Sequence, residues 1–456
     1  MEGTEYTTKE KVLARALEIK GIPLGLVDKK ERLKTGKGAI GNVIEESWFG
    51  YSPNSESEPD FPEAGVELKV TPYVRGKNGI RAKERLVCNM INYMEEYCKT
   101  LLTSSFWHKC NTMLLMSYEH LQDRPKGDFT IDEAVLFSFP EEDMPIIERD
   151  FSIIMEKVRS GRAHEISEGD TMYLAACTKG ADGKSVRSQP FSDIPAKTRA
   201  YSLKSSYMTM ILNKYIFGTT LSTKIIKDPA VLHEASFEDY IIGLVKKYYG
   251  KTQTELKAMF GIDSTAKSIN DRLLARMLNI TGNIANTEEF QKACIIPKTI
   301  RVQRNGSIKE SMSFPTFDFI KLSQETSWEE SEFYDYLAPT KFMFVIFQER
   351  EDGEYVFERV MFWNMPPEDL DEVGRVWERT VKTLREGVEL IPTPNGVRNN
   401  LPKQAESRVA HVRPHAKDAS DTLPLPDGRF MTKQCFWLNR TYVAEQISKN
   451  NPKRIS

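Results

Sequence analysis

The sequence predicts an α/β protein built from two tandem, homologous domains, and three observations carry that prediction. The first is length, since 456 residues exceed the usual size of one domain. The second is composition: 40% hydrophobic and 28% charged residues describe an ordinary soluble globular chain. The third is an internal repeat. In RDFSIIMEKVRSG (149–161), Arg149, Phe151, Arg159 and Gly161 stand at the same spacing as Arg375, Trp377, Arg385 and Gly387 in RVWERTVKTLREG (375–387).

The elements follow one another in the same order in both halves. KEKVLARALEIKG (9–21) and SFEDYIIGLVKKYYG (236–250) have the apolar spacing of helices and end on glycine, a frequent helix terminator. Apolar strands come next, TMLLMSYEH from Thr112 and FMFVIFQER from Phe342. Strand-like runs leading into acidic proline turns follow, VLFSFPEED (135–143) and VMFWNMPPED (360–369). The paired helices come after them, and then YSLKSSYM from Tyr201 and FWLNRTYV from Phe436. Four matches in one order define a first domain over 1–218, a linker over 219–235 that contains Pro229, and a second domain over 236–456. The insertion PTPNGVRNNLPKQAESR (392–408) in the second copy reads as an exposed loop.

Several function classes are excluded by what is missing. No run approaches the ~20 apolar residues of a membrane span. The N-terminal MEGTEYTTKEKV lacks the apolar core of a secretory signal. Six cysteines without a CxxC pair argue against a zinc site and fit a reducing cytoplasm. There is no HExxH or HNH-like cluster, no GxxxxGK[ST] and no GxSxG. The net charge of −2 neither supports nor excludes nucleic acid, because local Lys/Arg patches suffice for phosphate contact.

One constellation carries chemistry. In PDFPEAGVELKVTPY, Val66, Leu68 and Val70 alternate with Glu67 and Lys69, so a strand puts Glu67 and Lys69 on one face. Asp60 precedes them across a turn containing Pro62 and Gly65. Two carboxylates beside a lysine suit phosphodiester hydrolysis with Mg²⁺, a hard cation that keeps several waters. The spacing alone is weak, arising about 0.1 times by chance in a chain this long. Upstream, TGKGAIGNVIEESWFG (35–50) is a glycine-led turn into a helix, with Lys37 near its start and Glu45 about two turns in.

KGAIGNVIEESWFG, DFPEAGVELKVTPY and WHKC (107–110) together are similar to the MutH family, which comprises a mismatch-repair nicking endonuclease and GATC-cutting type II restriction endonucleases. The resemblance implies a PD-(D/E)xK nuclease fold, a mixed central sheet flanked by helices. It implies Asp60, Glu67 and Lys69 as catalytic residues, Asp60 and Glu67 as metal ligands, and Glu45 as an assisting carboxylate. Lys37 and Lys109 match family lysines near the active site and DNA backbone. Lys179, in YLAACTKGADG, and Lys204, in the end block, fall in the DNA-reading segments. Cys177-Thr178-Lys179 stands where MutH has Arg-Pro-Lys, so the arginine that would read a base is absent from the first copy.

The second copy serves as an internal control. Aligning EEFQKACIIPKTI with DFPEAGVELKVTP sets Glu289 opposite Asp60, Ile296 opposite Glu67 and Lys298 opposite Lys69. An isoleucine cannot bind a metal, and Ala275 or Arg276 stands where Glu45 should be. This copy is expected to be catalytically inactive and to read DNA through Arg413, Trp437 and Arg440. Arg413 supplies the Arg-Pro motif that the first copy lacks, and an arginine can contact a guanine edge with two hydrogen bonds.

Among MutH-like proteins, one active and one inactive copy point to a type II restriction endonuclease. The resemblance implies double-stranded DNA cut at 5′-GATC-3′ to a 5′-phosphate and 3′-hydroxyl, and a cognate methyltransferase acting on the same site. One active site cuts one strand, so double-strand cleavage needs dimerisation on DNA or two sequential nicks. The alternatives are a partner-activated repair nickase and a non-catalytic DNA-binding regulator. The duplication argues against the first and the intact trio against the second.

Overall fold

The computed structural model describes residues 6–34, 36, 38–51, 58–76, 79–122, 124–179, 185–219, 223–264, 266, 268–394 and 396–450. The chain forms two compact units. The first comprises Met1–Tyr240 with Ile280–Ile296 and Pro339–Lys341, and the second Ile241–Asn279, Pro297–Ala338 and Phe342–Ser456. The division is therefore not one cut at the linker, since two short segments of the second half of the sequence pack into the first unit.

In the first unit, β1 (Glu67–Gly76) turns back into β2 (Gly79–Ala82), and β3 (Leu86–Met90) leaves this sheet for another. β4 (Thr112–Glu119) and β5 (Glu133–Ser138) complete a mixed sheet of order β2-β1-β4-β5. β1 and β4 are parallel, with Glu67 beside Met113 and Lys69 beside Leu115. Parallel neighbours need a long crossover. Here it carries the short helix Ser105–Cys110, capped by the Ser104 hydroxyl, which accepts from the Trp107 N–H. Lys109 is thereby placed just before β4.

The core under this sheet joins Val66, Leu68, Leu114 and Met116 to Val12, Ala16 and Ile19 of the helix Lys9–Glu18. Ile40, Val43 and Ile44 add the face of a helix that begins as Ala39–Asn42 and continues in π-helical register over Val43–Phe49. Gly38 and Gly50 both adopt φ +82, a left-handed conformation that glycine takes without strain, and they bracket this helix. Single π turns in α-helices occur often at functional sites, and this one carries Glu45.

A second, antiparallel sheet of order β3-β9-β6 is formed with β6 (Leu174–Thr178) and β9 (Arg199–Leu203), and β7 (Val186–Gln189) pairs with β8 (Ser192–Lys197) as a separate hairpin.

The second unit repeats this plan. β10 (Ile295–Val302) opens the sheet β10-β12-β13, with β11 (Met312–Thr316) between them in sequence, β12 (Lys341–Glu349) and β13 (Tyr355–Trp363). With β16 (Ala410–Pro414) and β19 (Gln434–Leu438), the antiparallel sheet β11-β19-β16 answers β3-β9-β6, and β17 (Thr422–Pro424) with β18 (Phe430–Thr432) answers the β7-β8 hairpin. Cys177 faces Ala200 in the first unit as Arg413 faces Cys435 in the second, so β6 and β16 share one register. The 392–408 insertion is a correction to the loop expected there. β14 (Leu390–Thr393) and β15 (Gly396–Asn399) form a hairpin, because Ile391 and Val397 have strand propensity and Gly396 takes φ +121 at the turn.

Candidate active site

The turn before β1 folds back on the strand. Asp60 donates its N–H to Glu67 Oε2 at 3.2 Å, and its own Oδ2 accepts from the Leu68 N–H at 2.9 Å. This mutual latch, with the Phe61–Val66 bridge beneath it, brings Asp60 and Glu67 together across seven residues. Lys69 Nζ donates to Glu67 Oε1 at 2.8 Å and to the Cys88 carbonyl of β3 at 3.2 Å. Lys109 Nζ lies 3.8 Å from the same Glu67 oxygen. The structure thus assembles four of the expected residues, and Glu45 faces them closely enough for Asp60, Glu67 and Lys109 to act on its charge. Lys37 lies outside the described residues.

Charge dominates the site. Burial, then the nearby Asp60 and Glu67 carboxylates, push Glu45 up to about 7. Burial also raises Glu67, although Lys69 opposes it. Lys69 is pulled down by burial, but Glu67 together with Cys110 and Cys88 more than reverses this and holds it above its ordinary value. Three carboxylates (Glu45, Asp60, Glu67) against two ammonium groups (Lys69, Lys109) leave one excess negative charge when all are ionised. The next residue, Glu46, does not add a free carboxylate, since Arg32 grips both of its oxygens at 2.6 and 2.7 Å.

This donor set fits a divalent cation. Among the described residues no group of three metal-ligand side chains is preassembled. Asp60 and Glu67 supply two carboxylates, however, and Mg²⁺ is commonly bound through one or two carboxylates plus waters. The raised Glu45 gives a measurable consequence. Its folded-state value exceeds that of an unfolded glutamate, so the unfolded chain loses this proton first as pH rises. Stability from this group is complete below about 4.5 and is lost as pH climbs to about 7. Without divalent cations, the melting temperature of the wild type should fall over this window more than that of Glu45→Gln. Added Mg²⁺ should recover the loss at pH 7.5. Parallel pH profiles for the two proteins, measured by calorimetry, would count against the charge crowding described here.

The residues expected at DNA divide into exposed and buried groups. Lys179 is exposed just beyond β6, its N–H held by the Thr198 carbonyl at 2.8 Å. Arg440 is exposed at the start of the helix Arg440–Lys449. Arg413 is exposed on β16 with its guanidinium 4.0 Å above the Trp437 ring, and Trp437 Nε1 donates to the Arg413 carbonyl at 3.2 Å. Lys204 is a correction. It is 2% exposed, with Nζ donating to the carbonyls of Thr171 at 2.5 Å and Pro339 at 2.8 Å, so it cannot reach a phosphate. Cys177 is buried where Arg413 stands in the other unit. Sequence reasoning had no signal for Cys88, whose part in the site is a backbone carbonyl.

At the corresponding place in the second half of the sequence, Ile296 and Pro297 follow Ile295 at the start of β10, and Lys298 is half-buried. Burial lowers Lys298, and Asp271 partly offsets this. Glu289 holds no position like that of Asp60. Its buried carboxylate accepts from the N–H groups of Ile225 and Ile226 within the first unit.

Residues 49–150 match the family model of the DNA mismatch repair enzyme MutH. The chain is 39% identical to the Type II restriction enzyme Sau3AI of Staphylococcus aureus, over 97% of this chain and 99% of that protein. It is 28% identical to the DNA mismatch repair protein MutH of Escherichia coli (strain SMS-3-5 / SECEC), over 46% of this chain and 93% of that one. Against MutH of Shewanella woodyi the identity is 29%, over 39% and 78%. The MutH proteins thus correspond to less than half of this chain, whereas the restriction enzyme aligns along nearly all of it. The chain belongs to the family of the type II restriction endonuclease Sau3AI, with a nuclease fold of the MutH type.

Proposed function

We propose that the chain is a Mg²⁺-dependent endonuclease that cuts double-stranded DNA at 5′-GATC-3′, in the cytoplasm, leaving a 5′-phosphate and a 3′-hydroxyl. The observation that carries this reading is the latch of Asp60, Glu67 and Lys69 in the first sequence repeat, set against Ile296 and Pro297 in the second. Asp60 and Glu67 would hold the cation. When bound, it neutralises charge developing on the phosphate and acidifies water. Lys69 Nζ, fixed by Glu67 and the Cys88 carbonyl, orients a water for attack and offsets phosphate charge. Lys109 adds a second positive charge at the same carboxylate. Glu45, whose proton is held to about 7, can take up the proton released by the attacking water.

The second unit serves as a reader, with Arg413 stacked on Trp437 as its base contact. A palindromic target fits two reading modules in a two-fold arrangement. A single cutting site then requires a dimer on DNA or two successive nicks for a double-strand break, and a methyltransferase acting on the same site would protect the host. Incubating purified protein with plasmid and Mg²⁺, then mapping the ends, tests the reading. Linear product with ends at GATC is expected. Nicking that depends on added repair proteins, or cutting elsewhere, would overturn it.

A further inference from the structure

The turn leading into β6 is tied down on every side. Asp150, 1% exposed on the helix Met144–Arg159, accepts from the N–H groups of Met172 at 2.8 Å, Tyr173 at 2.7 Å and Leu174 at 2.9 Å. The carbonyls on the other side of the same turn are taken by two lysines. Lys204 holds Thr171, and Lys341 holds Asp170 at 3.1 Å while also pairing with Glu238 at 2.5 Å. The Lys204 N–H closes the turn on the Tyr173 carbonyl at 3.1 Å.

The second unit builds the same device with different chemistry. Asn439 follows β19 as Lys204 follows β9. Its N–H donates to the Val409 carbonyl at 2.8 Å, the counterpart of the Lys204–Tyr173 bond. Its side-chain Nδ2 donates to the carbonyls of Ser407 at 2.7 Å and Arg408 at 3.0 Å. In both copies, then, the residue after the last strand of the antiparallel sheet reaches across to a carbonyl that leads into β6 or β16, Thr171 in one copy and Ser407 and Arg408 in the other, while Lys204 also donates to Pro339. An ammonium does this in one copy and an amide in the other. Burying an ammonium is costly unless its protons are accepted, and an amide does the same bonding elsewhere in this chain. The shared feature is the bonding, not the charge.

We propose that Lys204, together with Asp150, is a positioning residue for sequence discrimination. It fixes the turn 170–173 so that the edge of β6 from Cys177 to Lys179 meets DNA in one register, and it does not itself touch DNA. The proposal rests on the reading of this edge as DNA-facing.

Two variants separate this role from a phosphate contact and from a fold requirement. Lys204→Met removes the bonds, and Lys204→Asn installs the amide that the second unit uses. Melting temperature is read alongside binding to a GATC duplex and to one-base-altered duplexes over a range of salt. For Lys204→Met, the expected result is a loss of about tenfold in discrimination between the duplexes, the scale of one mismatched base pair. The slope of log affinity against log salt should be unchanged. Lys204→Asn should recover most of the discrimination. A salt slope lower by about one, with discrimination intact, would identify a phosphate contact and overturn the proposal. Unaltered discrimination in Lys204→Met would overturn it also, and so would a folded Lys204→Asn no better than Lys204→Met. Failure of the underlying reading looks different, because the wild type itself would then not distinguish GATC from altered duplexes.

Discussion

Replacing Lys69 by alanine should reduce DNA cleavage by about 10³-fold, the scale seen when one group aimed at developing charge is removed, while DNA affinity stays within about twofold, since one charge among many phosphate contacts changes little. The geometry explains the separation. Lys69 is mostly buried, and its two bonds go to Glu67 and to the Cys88 carbonyl, so it belongs to the floor of the site and not to its DNA-facing rim. The variant should also carry a second signature. Lys69 is the closer of the two ammonium groups beside Glu67, at 2.8 Å against 3.8 Å for Lys109. Without it, Glu67 rises further, and the carboxylate cluster becomes more crowded at neutral pH. The melting temperature of Lys69→Ala should therefore fall more steeply than that of the wild type between pH 5 and 7.5, and Mg²⁺ should restore more of it. Cleavage by Lys69→Ala at the wild-type rate, in a plasmid assay with Mg²⁺, would remove Lys69 from the chemistry.

Asp60, Glu67 and Lys69 were legible because each signal is local. Strand alternation fixes the face of Glu67 and Lys69, and the proline and glycine between 60 and 67 announce the bend that returns Asp60. Ile296 was set opposite Glu67 by the alignment of the repeats alone. Lys204 was not. A lysine beside a strand end reads as a solvent-facing cation, and only the folded chain reveals that the carbonyls of Thr171 and Pro339 surround it. Pro339 is 135 residues away in sequence, and no periodicity carries that information. Glu289 misled in a similar way. Its register matches Asp60, but the five-residue helix Glu288–Lys292 turns its carboxylate toward the backbone of Ile225 and Ile226. The two compact units share this difficulty, because 280–296 and 339–341 join the first unit through contacts that sequence order conceals.

Arg413 offers the complementary experiment, a loss of binding without a change in chemistry. Its guanidinium lies 4.0 Å over the Trp437 ring, and the Trp437 indole in turn donates to the Arg413 carbonyl, so the fork is held in place before DNA arrives. His415 packs at a tilt against the same ring with centroids 5.2 Å apart, which restrains Trp437 further. An exposed arginine fixed in this way loses little freedom on binding, which favours a two-bond contact to a guanine edge over a loose phosphate contact. Arg413→Ala should therefore weaken binding to GATC duplexes by roughly 1–3 kcal/mol, or about tenfold to a hundredfold. Binding to unrelated duplexes should change far less, and cleavage at saturating DNA should stay near the wild-type rate. Trp437→Ala should lose less, because it frees the arginine without deleting it. The outcome that would sink this assignment is equal weakening on all duplexes with the salt slope reduced by about one, the behaviour of a backbone contact. In that case the first unit would have to read the sequence unaided, through an edge on which Cys177 is buried and Lys179 is exposed.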